Sequence, residues 1–292
     1  MLDLLDPKTQ SAVPAAPATV ALPRKLTDEG IVAFIQRTVR ELNTVKFALL
    51  SFVVNNLRRR YRRSILGFAW SLINPLLTML VMTVVFSVLF QRDPRTFSVY
   101  VFTGLLPFQF IKDSITLGGP SIVQGEHFLK KVYLNKTFFP LVTVATEGTN
   151  FCFSLFSLMA LAFCLGLKLQ VSMVLLPAVI LILFVFNAAL ALTFSIATVY
   201  FRDLTHISEV VLGAAIYLCP ILYPMSLVPA QYKVFFMLNP FYWFIELFRL
   251  VICEGRIPSA IDWGVPLAIM TVAVVFSLLI LKRKERDLIF RL

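Results

Sequence analysis

The sequence lacks the motifs that soluble enzymes use to handle nucleotides, metals or acyl groups. No GxxxxGK followed by Ser or Thr occurs, so this chain has no loop that could itself cradle the phosphates of ATP. HExxH, CxxC and GxSxG are also missing. The two histidines, His127 and His206, stand in separate connections, where packing or hydrogen bonding is the simplest role. The sequence therefore offers no catalytic cluster to support an enzymatic function, and we expect neither a cofactor nor a metal site in this chain.

Charged residues are also scarce. They make up 15% of the 292 residues, against 59% hydrophobic residues, and the mean hydropathy is +0.83. Soluble domains average roughly a quarter charged residues, and a soluble fold of this length could not bury so much apolar surface. The excess suits lipid, and about 20 apolar residues suffice for one helical crossing. The composition predicts an integral membrane protein.

The four cysteines have no metal-like spacing and lie in or beside apolar stretches. This pattern predicts small buried hydrophobic residues, with a single disulfide as the alternative. They are Cys152, Cys164, Cys219 and Cys253.

The net charge of +11 comes from basic residues that flank apolar segments, which favours a membrane over nucleic acid as the partner. With the N-terminus inside, twenty basic residues fall in cytoplasmic segments and six in the opposite loops. Positive residues mark the cytoplasmic side. We therefore expect a multi-pass protein of the cytoplasmic (inner) membrane with both termini in the cytoplasm.

Four regions follow one another along the chain. Residues 1–26, rich in proline and alanine, predict a disordered cytoplasmic tail. Residues 27–63 carry apolar positions at helical spacing and end in an arginine run, which predicts an amphipathic helical region in the membrane interface. Residues 64–281 form the membrane domain, and 282–292 form a basic cytoplasmic tail.

The predicted fold is an all-α polytopic membrane protein with six transmembrane helices. The crossings are expected at about 64–90, 98–120, 138–167, 171–200, from about 207, and 263–281. Pro75 should kink the first crossing, and Pro220 and Pro224 should interrupt the fifth.

Residues 224–262, between the fifth and sixth crossings, are apolar but divided by prolines into pieces too short to span. Short re-entrant helices that enter the outer leaflet and return fit these lengths. A seventh and eighth crossing is the alternative.

Polar residues inside the predicted crossings are costly and invite a functional hypothesis. Glu246 and Arg249, three residues apart, should form an ion pair on one helical face. Glu147 is a candidate proton carrier, although a structural hydrogen bond between helices is the simpler role. The remaining positions are Asn74, Lys112, Asp113, Asn150 and Asn187.

Five motifs, in order and spacing, resemble the transmembrane subunits of ABC-type polysaccharide exporters, which move O-antigen, teichoic acid and related lipid-linked glycans. The segments are 58–77 (RRRYRRSILGFAWSLINPLL), 100–111 (YVFTGLLPFQFI), 128–140 (FLKKVYLNKTFFP), 200–224 (YFRDLTHISEVVLGAAIYLCPILYP) and 239–255 (NPFYWFIELFRLVICEG). The resemblance departs at Gly125-Glu126-His127, and residues 1–45 are longer than the family needs.

This resemblance implies a homodimer of six-helix subunits that works with two copies of a soluble ABC ATPase. ATP and Mg²⁺ would be bound on that partner, and the substrate would be a lipid-linked polysaccharide of the O-antigen or teichoic-acid type. Three alternatives remain: an ABC exporter of drugs or small lipids, a proton-coupled transporter that uses Glu147 or Asp113, and a membrane-embedded glycan-modifying enzyme.

Three groups of candidate site residues follow from the resemblance and the residue types. The expected ATPase contacts are Glu126, Lys130, Lys131, Arg202 and Asp203, although the positive-inside bias alone could explain the lysines. Candidates to hold a lipid phosphate, or simply to anchor the chain to anionic lipids, are Arg58, Arg59, Arg60, Tyr61, Arg62 and Arg63. Channel or gate aromatics are Phe86, Phe90, Tyr217, Tyr223, Phe235, Phe236, Phe241, Tyr242 and Trp243, any of which could instead be packing residues.

Overall fold

The computed structural model describes residues 30–60, 69–90, 93–131, 134–166, 170–285 and 287–291. Helices dominate these residues, and no β-strand occurs among them. The α-helices within them are α1 (Ile31–Thr44), α2 (Lys46–Arg60), α3 (Trp70–Phe90), α4 (Pro94–Thr116), α5 (Ser121–Gln124), α6 (Glu126–Lys131), α7 (Phe138–Cys164), α8 (Leu176–Tyr200), α9 (Leu204–Leu218), α10 (Lys233–Met237), α11 (Pro240–Arg249), α12 (Ala260–Lys284) and α13 (Asp287–Arg291). The all-α prediction is confirmed.

Three helical stretches in the described residues are long and apolar enough to cross a bilayer. They are α7, the continuous stretch Val171–Tyr200 that contains α8, and α12. A fourth arises if the segments Ala230–Met237 and Pro240–Glu254 are counted as one broken span, but the chain bends by 98° between them. The coarse membrane architecture is therefore present, while the total of six crossings stays a prediction.

Helices α3, α4 and α9 stand where the first, second and fifth crossings are predicted. The second begins at Pro94 and ends at Thr116, rather than running over 98–120, because residues 117–120 form turns. Helix α9 has only 15 residues, and Pro220 follows its end. Pro75 lies inside α3, which remains helical through it.

Aromatic side chains bind four helices into one core. The rings of Phe110 on α4 and Phe151 on α7 stack at 5.2 Å, and those of Phe186 on α8 and Phe244 on α11 stack at 4.2 Å. Such pairs contribute about 0.5–1.5 kcal/mol beyond their buried area. Helix α12 packs along α8 on the side of this core. The core therefore ties the outer segment (α11) to the central helices.

Glycine allows α4 and α8 to approach closely. A Cβ added at Gly118 would lie 2.7 Å from the Cβ of Ala191, a distance that real Cβ atoms do not show. The Gly118-Gly119-Pro120 cluster thus ends the second predicted crossing and also seats it against α8.

Two helices occupy the described part of the region 27–63. Phe34 of α1 packs with Leu281 of α12 and Leu288 of α13. Val53 of α2 is buried against Phe138 and Phe139 of α7. The placement of α1 and α2 at the membrane surface stays a prediction, and residues 1–26 lie outside the described residues.

All four cysteines are unpaired, so the alternative of a disulfide does not apply. Cys219 is buried and Cys253 is half-buried, as expected of small hydrophobic residues. The same prediction is wrong for Cys152 and Cys164, which are exposed. Both lie on α7, whose opposite face supplies the residues of the aromatic core.

Candidate functional site

The described part of the arginine run lies in the last turn of α2. Arg58, Arg59 and Arg60 occupy the last turn of this helix, where basic side chains interact favourably with the helix dipole. All three are exposed, which leaves their guanidinium groups accessible to an anionic ligand or to lipid headgroups. Tyr61, Arg62 and Arg63, predicted to continue this site, lie outside the described residues.

Arg60 differs from its neighbours because it has a partner on another helix. Its Nη1 lies 3.1 Å from Oε2 of Glu147 on α7, and Nδ2 of Asn150 donates to the same oxygen at 2.9 Å. The Glu147 side chain is 9% exposed, whereas that of Arg60 is 51% exposed. A carboxylate buried to this extent needs a counter-charge. Glu147 therefore links α7 to the arginine run, a contact that no local motif predicts.

The predicted ATPase contacts lie on two connections. Glu126 begins α6, and its side chain pairs with Lys130 one turn later. The hydrogen bond from Lys130 lowers the pKa of Glu126, and the charge of Arg202 also contributes to this lowering. Arg202 itself is exposed in the turn just before α9.

The remaining two predicted contacts are also exposed. Lys131 at the end of α6 and Asp203 just before α9 are both exposed. Behind them, Gly125 lies against the ring of Phe139 on α7, and α5 packs against α7 and α8. A rigid helix base therefore supports the exposed charges, which suits a surface that receives motion from a partner.

The predicted channel aromatics divide into two environments. Tyr217 is exposed on α9, and the hydroxyl of Tyr223 donates to its carbonyl at 2.8 Å. Tyr223 also meets the ring of Phe236 at 6.3 Å. The side chains of Phe86 and Phe90 lie outside the described residues.

The other predicted aromatics, before and after the bend between α10 and α11, also divide into a group that lines a cavity and a group that packs inside the protein. Tyr223, Phe235 and Phe236 line an open outer cavity of about 400 Å³ together with Leu227, Val228, Pro229 and Tyr232. Phe241 instead packs on Phe108 and Phe186, and Tyr242 is buried. Trp243 donates from Nε1 to the carbonyl of Met237 at 2.8 Å and so braces the bend between α10 and α11.

Arg249 is buried and contacts several groups, of which the sequence predicted only Glu246. The expected pair with Glu246 is present, with Nη1 and Oε2 3.8 Å apart. Arg249 Nη2 also donates to the carbonyls of Pro220 at 2.7 Å and Ile221 at 3.2 Å, and the guanidinium lies 4.0 Å from the centre of the Tyr100 ring.

The contacts of Arg249 with the two carbonyls had a signal in the sequence. A proline break such as the one after α9 leaves the carbonyl groups of the non-helical residues that follow without helical donors. In an apolar environment such carbonyls require a donor from elsewhere. Arg249 is 2% exposed and is the side chain that supplies it.

Helix α1 is fastened to two other parts of the chain. Arg37 Nη2 lies 2.9 Å from Oε2 of Glu285, at the end of α12. Asn135, just before α7, donates to Oε2 of Glu41 at 2.6 Å. These contacts give the described part of residues 1–45 a clear structural role, which the sequence did not reveal.

Comparison with known proteins decides the family. The model of the family described as "ABC-2 type transporter" matches residues 48–253, more than half of the chain. This chain belongs to the ABC-2 type transporter family. The matched region of this ABC-2 type transporter includes the arginine run, both connections that carry the predicted ATPase contacts, and Arg249. The resemblance found in the sequence is confirmed.

Relatives of this ABC-2 type transporter carry names from polysaccharide transport. An O-antigen export system permease protein RfbA from Myxococcus xanthus is 33% identical over 226 residues, which are 77% of this chain and 87% of that protein. RfbA from Klebsiella pneumoniae is 27% identical over 72% of this chain and 82% of its own length. The polysialic acid transport protein KpsM of Escherichia coli is 22% identical over 83% and 95%, respectively.

Proposed function

We propose that this chain is the permease subunit of an ATP-driven exporter that moves a lipid-linked polysaccharide across the cytoplasmic membrane. The observation that carries the proposal is the match to the Myxococcus xanthus O-antigen export permease, which extends over 87% of that protein. The substrate class is a glycan of the O-antigen or teichoic-acid type on a lipid carrier. The chain is a transport subunit and not an enzyme.

The energy comes from a separate soluble ATPase, of which two copies bind the permease homodimer. The lack of a P-loop in this chain supports that division of labour. The surface that receives the ATPase contains Glu126, Lys130, Lys131, Arg202 and Asp203. Its support is that these charged side chains lie in two connections between helices, and that Lys130, Lys131, Arg202 and Asp203 are exposed. ATP and Mg²⁺ act on the partner.

The membrane domain has six crossings with both termini in the cytoplasm. Helices α3, α4, α7, α8, α9 and α12 supply the crossings, and the bend of 98° between α10 and α11 supports a re-entrant outer segment. The distribution of basic residues supports the orientation. The arginine run and α1 then face the cytoplasm.

Two copies of the chain enclose the transport path between their first and fifth crossings. Exposed apolar side chains on α3 and α9 support this arrangement, since such surfaces face either lipid or another protein. They include Leu77, Leu80, Val84, Val88, Val210, Val211 and Leu218. Tyr217 stands beside them and offers a smooth aromatic wall to sugar rings.

The lipid headgroup enters at the arginine run. A lipid-linked glycan carries a phosphate or pyrophosphate, and guanidinium groups bind phosphate oxygens through paired hydrogen bonds. The exposure of Arg58 and Arg59 supports this assignment. Motion of the ATPase against α6 and the start of α9 then opens the path between the facing crossings.

Purification of the tagged chain from its native membrane tests the proposal. We expect a soluble ATPase to copurify in equal number, with two copies of each subunit, and ATP hydrolysis by the complex. Loss of surface or exported polysaccharide on deletion of the chain is the matching cellular result. A chain that purifies alone and transports without ATP contradicts the proposal, and a complex that moves only drugs or small lipids replaces the substrate class.

A further inference from the structure

A polar cavity lies next to the arginine run, between α3, α4 and α7. Its volume is about 320 Å³, at the lower end of the roughly 300–1,000 Å³ of small-ligand pockets. One water occupies only about 30 Å³, so the space exceeds what a single bridging water needs. The cavity is large enough for a compact polar group rather than a whole oligosaccharide.

The walls of the cavity combine apolar side chains, among them Phe102, Phe110 and Phe151, with amides, carboxylates and one indole. The polar lining includes Asn74, Gln109, Asp113, Glu147 and Asn150, and Trp70 adds an aromatic face. Amide side chains both donate and accept hydrogen bonds, and carboxylates accept them. Adjacent hydroxyl groups on a sugar ring present the matching alternation of donors and acceptors.

The cavity has unused hydrogen-bonding capacity. Oδ1 of Asn150 is buried and has no hydrogen-bond partner among the described residues. The Nδ2 of the same amide already donates to Glu147, which fixes the orientation of the side chain. A buried acceptor without a donor costs about 1–3 kcal/mol, which favours a ligand whose hydroxyl groups can supply a donor to this amide.

The charges of the cavity argue against a phosphate inside it. Two carboxylates, Asp113 and Glu147, line the space together with one guanidinium, that of Arg60. Arg60 is already paired with Glu147, and Gln109 donates to Asp113 at 2.8 Å. A phosphate placed here would meet an uncompensated carboxylate, whereas an uncharged polyol would not.

We propose that this cavity binds one sugar ring of the exported glycan, with Trp70 against a C–H face of the ring and with Gln109 and Asn150 bonded to its hydroxyl groups. Arg60 connects the arginine run to the cavity, because it belongs to the run and also lines the cavity. A sugar attached directly to the lipid phosphate then occupies the cavity while the phosphate stays on the exposed arginines. This proposal rests on the proposed function.

The first test is sugar binding by the full-length protein in detergent micelles or nanodiscs. The probes are methyl glycosides of the common hexoses, N-acetylhexosamines and deoxyhexoses, titrated to high millimolar concentration, with inorganic phosphate as the comparison. The readouts are intrinsic tryptophan fluorescence and the shift of the thermal midpoint, since a ligand that binds the folded state raises that midpoint. We expect at least one glycoside to give a saturable response in both readouts.

Matched amide variants test whether the glycoside response comes from the cavity. Q109A and N150A should weaken the apparent affinity at least tenfold, which corresponds to about 1.4 kcal/mol. Q36A and N43A remove the same side chains from the exposed surface of α1 and should change the affinity by less than about twofold. W70F should abolish the fluorescence response, while its thermal shift reports whether the sugar still binds.

The outcomes separate this proposal from the proposed function. A saturable response to phosphate alone, or no saturable response to any glycoside, overturns the sugar assignment. An equal loss in Q36A and Q109A also overturns it. Polysaccharide export without a glycoside response keeps the proposed function and removes the cavity site. A glycoside response without polysaccharide export keeps a sugar site in the cavity but overturns the proposed function and the assignment of that sugar to an exported glycan.

Discussion

The two most informative arginines of this chain occupy opposite situations. Arg249 is fully enclosed, donates to two carbonyls of the break after α9, and lies against the ring of Tyr100. Arg60 is half exposed, has one ionic partner on α7, and lines a cavity. An arginine whose partners are backbone groups has no alternative ligand and acts as a structural brace. An arginine at the mouth of a cavity can exchange its partner for a ligand.

Removal of the brace should have the largest effect on stability. R249M leaves the carbonyls of Pro220 and Ile221 without their donor, at about 1–3 kcal/mol for each buried group, and also removes the partner of Glu246. We expect little folded protein, measured by size-exclusion chromatography of the detergent extract. R256M is the control, because Arg256 is half exposed and its side chain pairs with two carboxylates, those of Glu254 and Asp262, at 3.6 Å. Equal losses in R249M and R256M would contradict the bracing role of Arg249.

Removal of Arg60 should affect transport more than folding. R60A leaves the carboxylate of Glu147 with only its hydrogen bond from Asn150, for which we expect a loss of about 1–3 kcal/mol and a strong decrease in glycan export. The double variant R60E/E147R restores the pair with reversed charges. It should recover the thermal midpoint but not export, since the guanidinium no longer extends from the arginine run. Recovery of export as well would make Arg60 a brace like Arg249.

The contact between Arg37 and Glu285 should have an intermediate effect. Both side chains are partly exposed, so the pair should contribute roughly 0.2–1 kcal/mol. R37E should lower the thermal midpoint slightly, and R37E/E285R should restore it. A double-mutant cycle of thermal midpoints measures the coupling. A coupling of zero would mean that this ion pair does not fasten α1, which would leave the packing of Phe34 and the hydrogen bond from Asn135 to Glu41.

The smallest effect is expected at the exposed pair of α6. The pKa of Glu126 is lowered by its hydrogen bond from Lys130, so its contribution to stability is present near neutral pH and decreases as the pH falls through the lowered pKa. E126Q should therefore approach the wild-type thermal midpoint on acidification, while ATPase stimulation by the permease already falls at neutral pH. E209Q, an exposed change on α9, is the control. A pH-independent difference between E126Q and the wild type would contradict this assignment.

Sequence reasoning reached the broad architecture and the family but only part of the site. The helix pattern, the break at Pro220 and the pair Glu246–Arg249 follow from local spacing, and the structure contains all three. The exposure of Cys152 and Cys164 contradicts the sequence prediction, because hydropathy does not reveal which face of α7 is covered. The predicted aromatic set was divided in the same way: Phe235 lines an open cavity, while Tyr242 is buried.

What the sequence determined by itself are the properties that depend on composition and short-range order. A low share of charged residues requires lipid, a run of about 20 apolar residues requires a helix to satisfy its backbone in lipid, and ordered motifs identify the ABC-2 type transporter family. The tertiary structure decided which charges meet. Arg60 and Glu147 are 87 residues apart in the chain, and Arg37 and Glu285 are 248 apart. Such pairs, and the cavity beside the first of them, exist only because packed helices set the distance between side chains, and no local pattern encodes that distance.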